Sequence, residues 1–180
     1  MSLVFIGPPA AGKTRVGKRI SRKLGATYAD TDKLIAREHG AISEFIPKHG
    51  EQEFRRIERN TVQAALSAYE VVSLGGGAIL NEQTQAQLAS GEHTVVLLVA
   101  SPEAIKERIS GKSNRPLLSG IDSWVETYEA RRETYERLAD LTVDTSFRPM
   151  WQVSNEVHRY LKRVGSPLIR NSTPAQADNN

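Results

Sequence analysis

Residues 7–14 read GPPAAGKT, and the spacing Gly-x-x-x-x-Gly-Lys-Thr puts glycine, an ammonium and a hydroxyl where a loop can hold phosphate. A tight turn that opens into a helix aims several backbone N–H groups at one small volume, and the helix dipole adds positive potential there. Gly7, Pro8, Pro9, Ala10, Ala11 and Gly12 form the candidate cradle, with Gly12 letting the main chain approach closely because it carries no Cβ. Lys13 can reach the outer phosphates of a triphosphate, and the Thr14 hydroxyl can ligate magnesium. The flanks agree. LVFI at residues 3–6 suits a buried parallel strand, and Val16, Ile20 and Leu24 keep a helical spacing before Gly25 stops the helix.

Ligands of open parallel sheets bind at the carboxyl ends of strands, so the polar residues that terminate the other strand-like runs are the next candidates. Asp30 and Asp32 of the DTD at residues 30–32 could divide the labour, Asp30 holding a metal shell through water and Asp32 accepting a proton from a substrate hydroxyl. An equally good reading has Asp32 capping a helix that begins near Lys33. Gly75, Gly76 and Gly77 follow the third run, and three successive glycines cost more chain entropy than a turn requires. Close approach of their backbone N–H groups to a ligand is the expectation. Arg55, Arg115 and Arg131 are planar partners for a carboxylate or phosphate, although any one of them alone is an ordinary surface arginine. His39, His49, His93 and His158 show no paired spacing and read as surface or loop residues.

The elements that must position these groups are visible in the hydrophobic pattern. Strand-like runs at residues 3–6, 27–30, 71–74, 94–99 and 141–144 alternate with helical patterns. That predicts an α/β three-layer sandwich around a central five-stranded parallel sheet. Phe54, Ile57, Thr61 and Ala65 keep a helical spacing downstream of Gly50, within a helical insertion at about residues 33–61 that is large enough to bind substrate. Ser101 and Pro102 open a helix to about Ile109, and Ser123 with Glu126 forms a capping box for another that ends near Ala139. Residues 151–163 form the last helix. SGKSNRPLLSG at residues 110–120 reads as a mobile loop, a lid at about 110–122. The expectation is one domain over residues 1–164, with the polar, proline-broken residues 165–180 as a disordered tail.

Composition narrows the function classes. A chain of 180 residues with 39% hydrophobic content has room for one domain with a sizeable core. It has no cysteine, which excludes disulfides, thiolate catalysis and cysteine zinc sites and fits a reducing cytoplasm. No apolar run approaches the ~20 residues of a membrane span, and no signal peptide is recognisable, so a soluble cytoplasmic protein without a membrane partner is expected. A net charge of +3 with interspersed signs gives no basic stripe for nucleic acid and suits anionic small molecules.

Five ordered motifs then form one pattern: GPPAAGKT at 7–14, DTD at 30–32, GEQEFRRIE at 50–58, SLGGGA at 73–78 and RPLL at 115–118. Over about residues 3–164 the chain closely resembles the shikimate kinases, P-loop proteins of the nucleoside-monophosphate-kinase-like group. The resemblance implies a P-loop kinase fold with a substrate-binding helical insertion and a lid. It also implies transfer of the γ-phosphate of ATP to the 3-hydroxyl of shikimate, giving shikimate 3-phosphate and ADP on the route to chorismate and the aromatic amino acids. Carried over residue by residue, it places Lys13 and Thr14 at the phosphates and Mg2+, Asp30 near the metal, and Asp32 on the shikimate hydroxyls. Arg55 and Arg131 fall on the shikimate carboxylate, Gly75, Gly76 and Gly77 along the substrate, and Arg115 on the lid over the transferred phosphate. Arg108 stacks on adenine in this pattern, with Arg148 and Pro149 in a second adenine-contacting loop. Asp32, Lys13 and Arg115 are the catalytic set, shikimate and ATP the partners, and a monomer the expected state.

Three departures are visible. The segment Pro8-Pro9-Ala10-Ala11 lacks the glycine or serine common before the Gly-Lys pair, although its backbone donors remain. RRETY replaces the usual Arg-Pro-Leu-Tyr neighbourhood, leaving Arg131 and Arg132 as candidates, of which Arg131 keeps the four-residue step to Tyr135. The adenine loop, SFRPM, is about a residue short. Two rival readings stay open. A kinase for gluconate or a nucleoside monophosphate shares the loop and lid but not the combined DTD, FRR and GGG set. A non-catalytic nucleotide switch would give the acceptor-directed arginines no purpose, and the sequence has no Asn-Lys-x-Asp or Thr-Lys-x-Asp segment to read guanine.

Overall fold

The structure, a computed structural model, describes residues 1–110 and 120–169. Its centre is a five-stranded sheet in the order β2-β3-β1-β4-β5, with every pair parallel. The strands are β1 (Leu3–Ile6), β2 (Tyr28–Asp30), β3 (Val71–Ser73), β4 (Thr94–Val99) and β5 (Leu141–Asp144). β1 lies in the middle, with Leu3 level with Val71 on one side and Thr94 on the other. Its four side chains are all buried because both faces of the sheet are covered, the usual state of a parallel strand.

The period of two along each strand divides the core into two layers. Leu3 and Phe5 of β1 face a cluster with Val16 and Ile20 of α1 (Lys13–Leu24) and Val153, Val157 and Leu161 of α8 (Met150–Arg163). Val4 and Ile6 face the other, where Val62 and Leu66 of α4 (Glu51–Ala68) meet Tyr135 and Leu138 of α7 (Gly120–Leu138). α5 (Glu82–Leu88) and α6 (Pro102–Ser110) complete the helical layers. The expected insertion is occupied by α2 (Thr31–His39), α3 (Ile42–His49) and the start of α4, packed on a small core of Ile35, Phe45, Phe54 and Ile57.

Two expectations need correction. α7 already begins at Gly120, whose φ of +81° turns the chain into the helix, so Ser123 lies inside the first turn and is not its cap. The packed body also does not end at residue 164. Leu168 is 5% exposed in the α1/α8 cluster, Ile169 packs beside it, and the Ser166 N–H donates to the Leu161 carbonyl at 2.9 Å. These apolar residues continue the cover over α8, so the chain stays attached through Ile169. Arg115 and the lid at 111–119, and residues 170–180 of the expected tail, lie outside the described residues. Among the described residues no helix is long and apolar enough to cross a membrane.

Candidate active site

The phosphate loop joins β1 to α1 at the centre of the sheet. Gly7 has φ +134°, and a Cβ there would run into the Leu98 carbonyl of β4, so the loop leaves β1 at the only residue type that fits. Gly12 has φ +102° and caps α1 with no side chain, so the positive end of the helix dipole faces the loop. Ala10 is also left-handed, at φ +63°, a conformation that costs a residue with a Cβ about 1–2 kcal/mol.

That strain is held from outside, because each loop carbonyl from Gly7 to Ala11 accepts a side-chain hydrogen bond. Lys13 Nζ donates to Gly7 at 2.8 Å and Pro8 at 2.9 Å, Trp124 Nε1 to Pro9 at 2.9 Å, Arg108 Nη1 to Ala10 at 3.1 Å, and Thr145 Oγ1 to Ala11 at 2.9 Å. With its carbonyls fixed in this way the loop is preorganised for an anion on its N–H side.

The Thr14 hydroxyl donates to Asp30 Oδ2 at 2.5 Å, and the Asp30 carboxylate also accepts the Lys33 N–H at 3.2 Å as the N-cap of α2. Asp30 is therefore the cap, and Asp32 is released from the alternative left open by its spacing. A hydroxyl and a carboxylate side by side are hard oxygen donors. Among the described residues no group of three or more His, Cys, Asp or Glu gathers as a metal cage. Magnesium normally takes one or two carboxylates together with phosphate and water, so this donor pair fits it. Beneath the pair, burial pushes the Tyr28 phenol up to about 12, against the opposing effect of its bond to Ser73 Oγ at 3.1 Å.

The triglycine loop follows β3. None of its three residues has a positive φ, so space rather than conformation demands glycine. A Cβ on Gly75 would fall on the Asp32 carboxylate with Glu58 Oε1 at 3.1 Å, one on Gly76 would meet Pro9 Cδ at 3.1 Å, and one on Gly77 would press on the Arg55 guanidinium. Room for the chain's own side chains is thus a second reason for the run, beside the expected approach to a ligand. The close neighbours are the chain's own Asp32, Pro9 and Arg55, and the Gly75 N–H is already bound to Thr31 Oγ1 at 3.0 Å.

Asp32, Arg55 and Arg131 thus converge on one loop, and that loop touches the phosphate loop at Pro9. Arg131 Nη1 donates to the Gly76 carbonyl at 3.1 Å, whereas Arg132 faces outward on Glu136 at 2.9 Å and Glu129 at 3.7 Å. Arg55 is held by Glu58 at 2.6 Å and Glu51 at 3.0 Å, a fork aimed by two carboxylates. Glu58 is 4% exposed, and burial pushes its carboxyl above the usual range against the pull of Arg55.

The residues expected on the adenine side also have partners within the chain. Arg108 spends in-plane donors on Ala10 O, Thr145 Oγ1 and the Thr145 carbonyl, so it braces the phosphate loop and has only its flat faces for a base. Arg148 is tied to the Asp144 carbonyl at 2.7 Å and to Glu156 at 2.6 Å, and Pro149 is the N-cap of α8. Glu58, Thr145 and Trp124 belong to the arrangement without having been singled out from the sequence, and Tyr135, used there only to choose Arg131, bonds the Gly76 carbonyl itself. Glu58 could have been found, because it stands three residues after Arg55 in the 50–58 motif. Thr145 and Trp124 carry no local signal for their contacts.

Known proteins resemble this chain in sequence and in fold. The shikimate kinase family profile matches residues 9–162. The chain is 40% identical over 165 residues to a shikimate kinase of Corynebacterium efficiens, covering 89% of this chain and 96% of that relative. It is 42% identical over 151 residues to one of Mycobacterium tuberculosis, covering 81% and 84%. Among solved structures, the shikimate kinase of Acinetobacter baumannii in complex with shikimate superposes with a TM-score of 0.83 at 27% identity, over 91% of this chain and 93% of that one. A profile that matches residues 9–162, with relatives matched along most of their length, carries one conclusion: the chain belongs to the shikimate kinase family.

Proposed function

We propose that this protein transfers the γ-phosphate of ATP to the 3-hydroxyl of shikimate, giving shikimate 3-phosphate and ADP on the route to chorismate and the aromatic amino acids. The observation that carries the reading is the gathering of Asp32, Arg55 and Arg131 around a triglycine loop in contact with the phosphate loop. A nucleotide switch has no use for such an acceptor side.

Phosphoryl transfer depends on positioning and charge neutralisation more than on covalent chemistry by the protein. Lys13 exchanges its two loop carbonyls for phosphate oxygens, and the braced cradle supplies N–H groups in a fixed geometry. Arg55, steered by Glu51 and Glu58, and Arg131, steered by Gly76, clamp the acid's carboxylate. Asp32 orients the attacking hydroxyl and takes its proton. Thr14 and Asp30 would hold Mg2+, which neutralises charge on the phosphates. Arg115 is assigned to the transferred phosphate, and Arg108 through its faces, with Arg148 and Pro149, to the base. The insertion at 33–61 is assigned to the acid, within a single domain acting as a cytoplasmic monomer.

The test is a coupled ADP-release assay with and without shikimate, run beside gluconate and nucleoside monophosphates. ADP release should depend on shikimate, and chelation of Mg2+ should abolish it reversibly. ATP consumption that is indifferent to shikimate, or faster with another acceptor, would remove the reading.

A further inference from the structure

We infer that Trp124 is a positioning residue for phosphoryl transfer, holding the phosphate loop in register with the acceptor loop through an aromatic ladder on α7. The inference rests on the reading of the site given above and concerns a residue which that reading leaves without a role. Trp124 is 3% exposed, and its indole N–H, a donor with no acceptor capacity, is bonded to the Pro9 carbonyl at 2.9 Å. Proline has no N–H, so this carbonyl is the one backbone handle by which Pro9 can be held. Pro9 is also where the two loops meet, its ring lying against Gly76.

The other end of the same helix holds the other loop. Trp124 stacks on Tyr128 with centroids 5.6 Å apart and planes 21° apart, and Tyr128 stacks on Tyr135 at 6.5 Å and 25°. The Tyr135 hydroxyl then donates to the Gly76 carbonyl at 2.6 Å. The contacts close a circuit: Pro9 against Gly76, Gly76 to Tyr135, Tyr135 through Tyr128 to Trp124, and Trp124 back to Pro9. Three flat side chains on one helical stripe, Trp124 and Tyr135 buried and Tyr128 between them half-buried, form a stiff spacer. Its length sets how far the donor loop stands from the acceptor loop, and transfer rates are sensitive to misplacement of that kind.

The test is Trp124→Phe, which keeps the stack and removes the donor. The expected result is a fall in kcat of about tenfold or more, with KM for shikimate changed less than about twofold, and a fall that persists at temperatures well below the somewhat lowered thermal midpoint. Combined with Tyr135→Phe, the loss should be no larger than that of the worse single variant, because both break one circuit. An unchanged kcat, a loss that only follows lowered stability, or multiplicative losses in the double variant would overturn the inference. Should Trp124→Phe fail to fold, the Trp151→Phe protein decides, since Trp124 is then the sole indole in the chain. Its emission should change when ATP is added without acid, and a constant emission overturns the assignment. Wild-type enzyme that ignores shikimate defeats the functional reading, whereas an active wild type with an equally active Trp124→Phe defeats this inference alone.

Discussion

At residue scale, the proposed acceptor side is a small set of charges aimed by neighbours. Asp32 sits in the first turn of α2 and against Gly75, while capping is left to Asp30. Asp32→Asn should leave ATP affinity nearly intact and cut turnover at least ~100-fold, the range for a lost general base, as steady-state kinetics with separate nucleotide titration would show. Arg55→Lys should chiefly raise KM for the acid, because one ammonium cannot reproduce a fork already pointed by Glu51 and Glu58. Glu58 adds a pH effect whose sign is fixed by its burial. Its carboxyl is raised in the folded protein, so the folded state holds the proton more tightly and stability declines as pH rises from the ordinary carboxylate value through the raised one. Denaturation at several pH values should show Glu58→Gln flattening that decline while weakening the Arg55 clamp, seen as a higher KM for the acid.

At the scale of elements, close packing rather than propensity decides at α1. Gly17 is inside that helix, and a Cβ there would meet the Tyr28 ring at 2.6 Å and Ser73 Oγ at 2.7 Å. Alanine would gain ~1 kcal/mol in helix propensity. Overpacking costs typically ~1–3 kcal/mol and would also displace Tyr28 from Ser73, so Gly17→Ala should lower the denaturation midpoint. The strands were legible in the sequence because short runs of strand-favouring residues end at clear stops: β4 and β5 have the bounds read from it, and β2 is shorter by Thr27 alone. The motif residues were legible because chemistry collects where those strands end. What could not be read were the braces. Trp124 to Pro9 and Thr145 to Ala11 join positions more than a hundred residues apart, and no local pattern encodes such a pair. Ser123 was misread for a related reason: its capping box is a local signal, overridden by the turn at Gly120.

For the whole molecule, the two layers of core converge on β1, and the C-terminal segment closes one of them. Leu168→Ala should therefore cost about 2–4 kcal/mol, a large-to-small change in a filled cluster, although it lies far from the ligands. Chemical denaturation should report the loss without a change in KM for either substrate. The order of the chain carries a further consequence for the phosphate loop. During synthesis its residues leave the ribosome well before the side chains that fasten Pro9, Ala10 and Ala11, which stand at positions 124, 108 and 145. A nascent chain adds residues one by one toward its C-terminus, so the braces of this loop stay incomplete until residue 145 has been translated. The last of these fasteners, Thr145, follows directly on β5, so the bracing of the loop and the closing strand of the sheet are completed together.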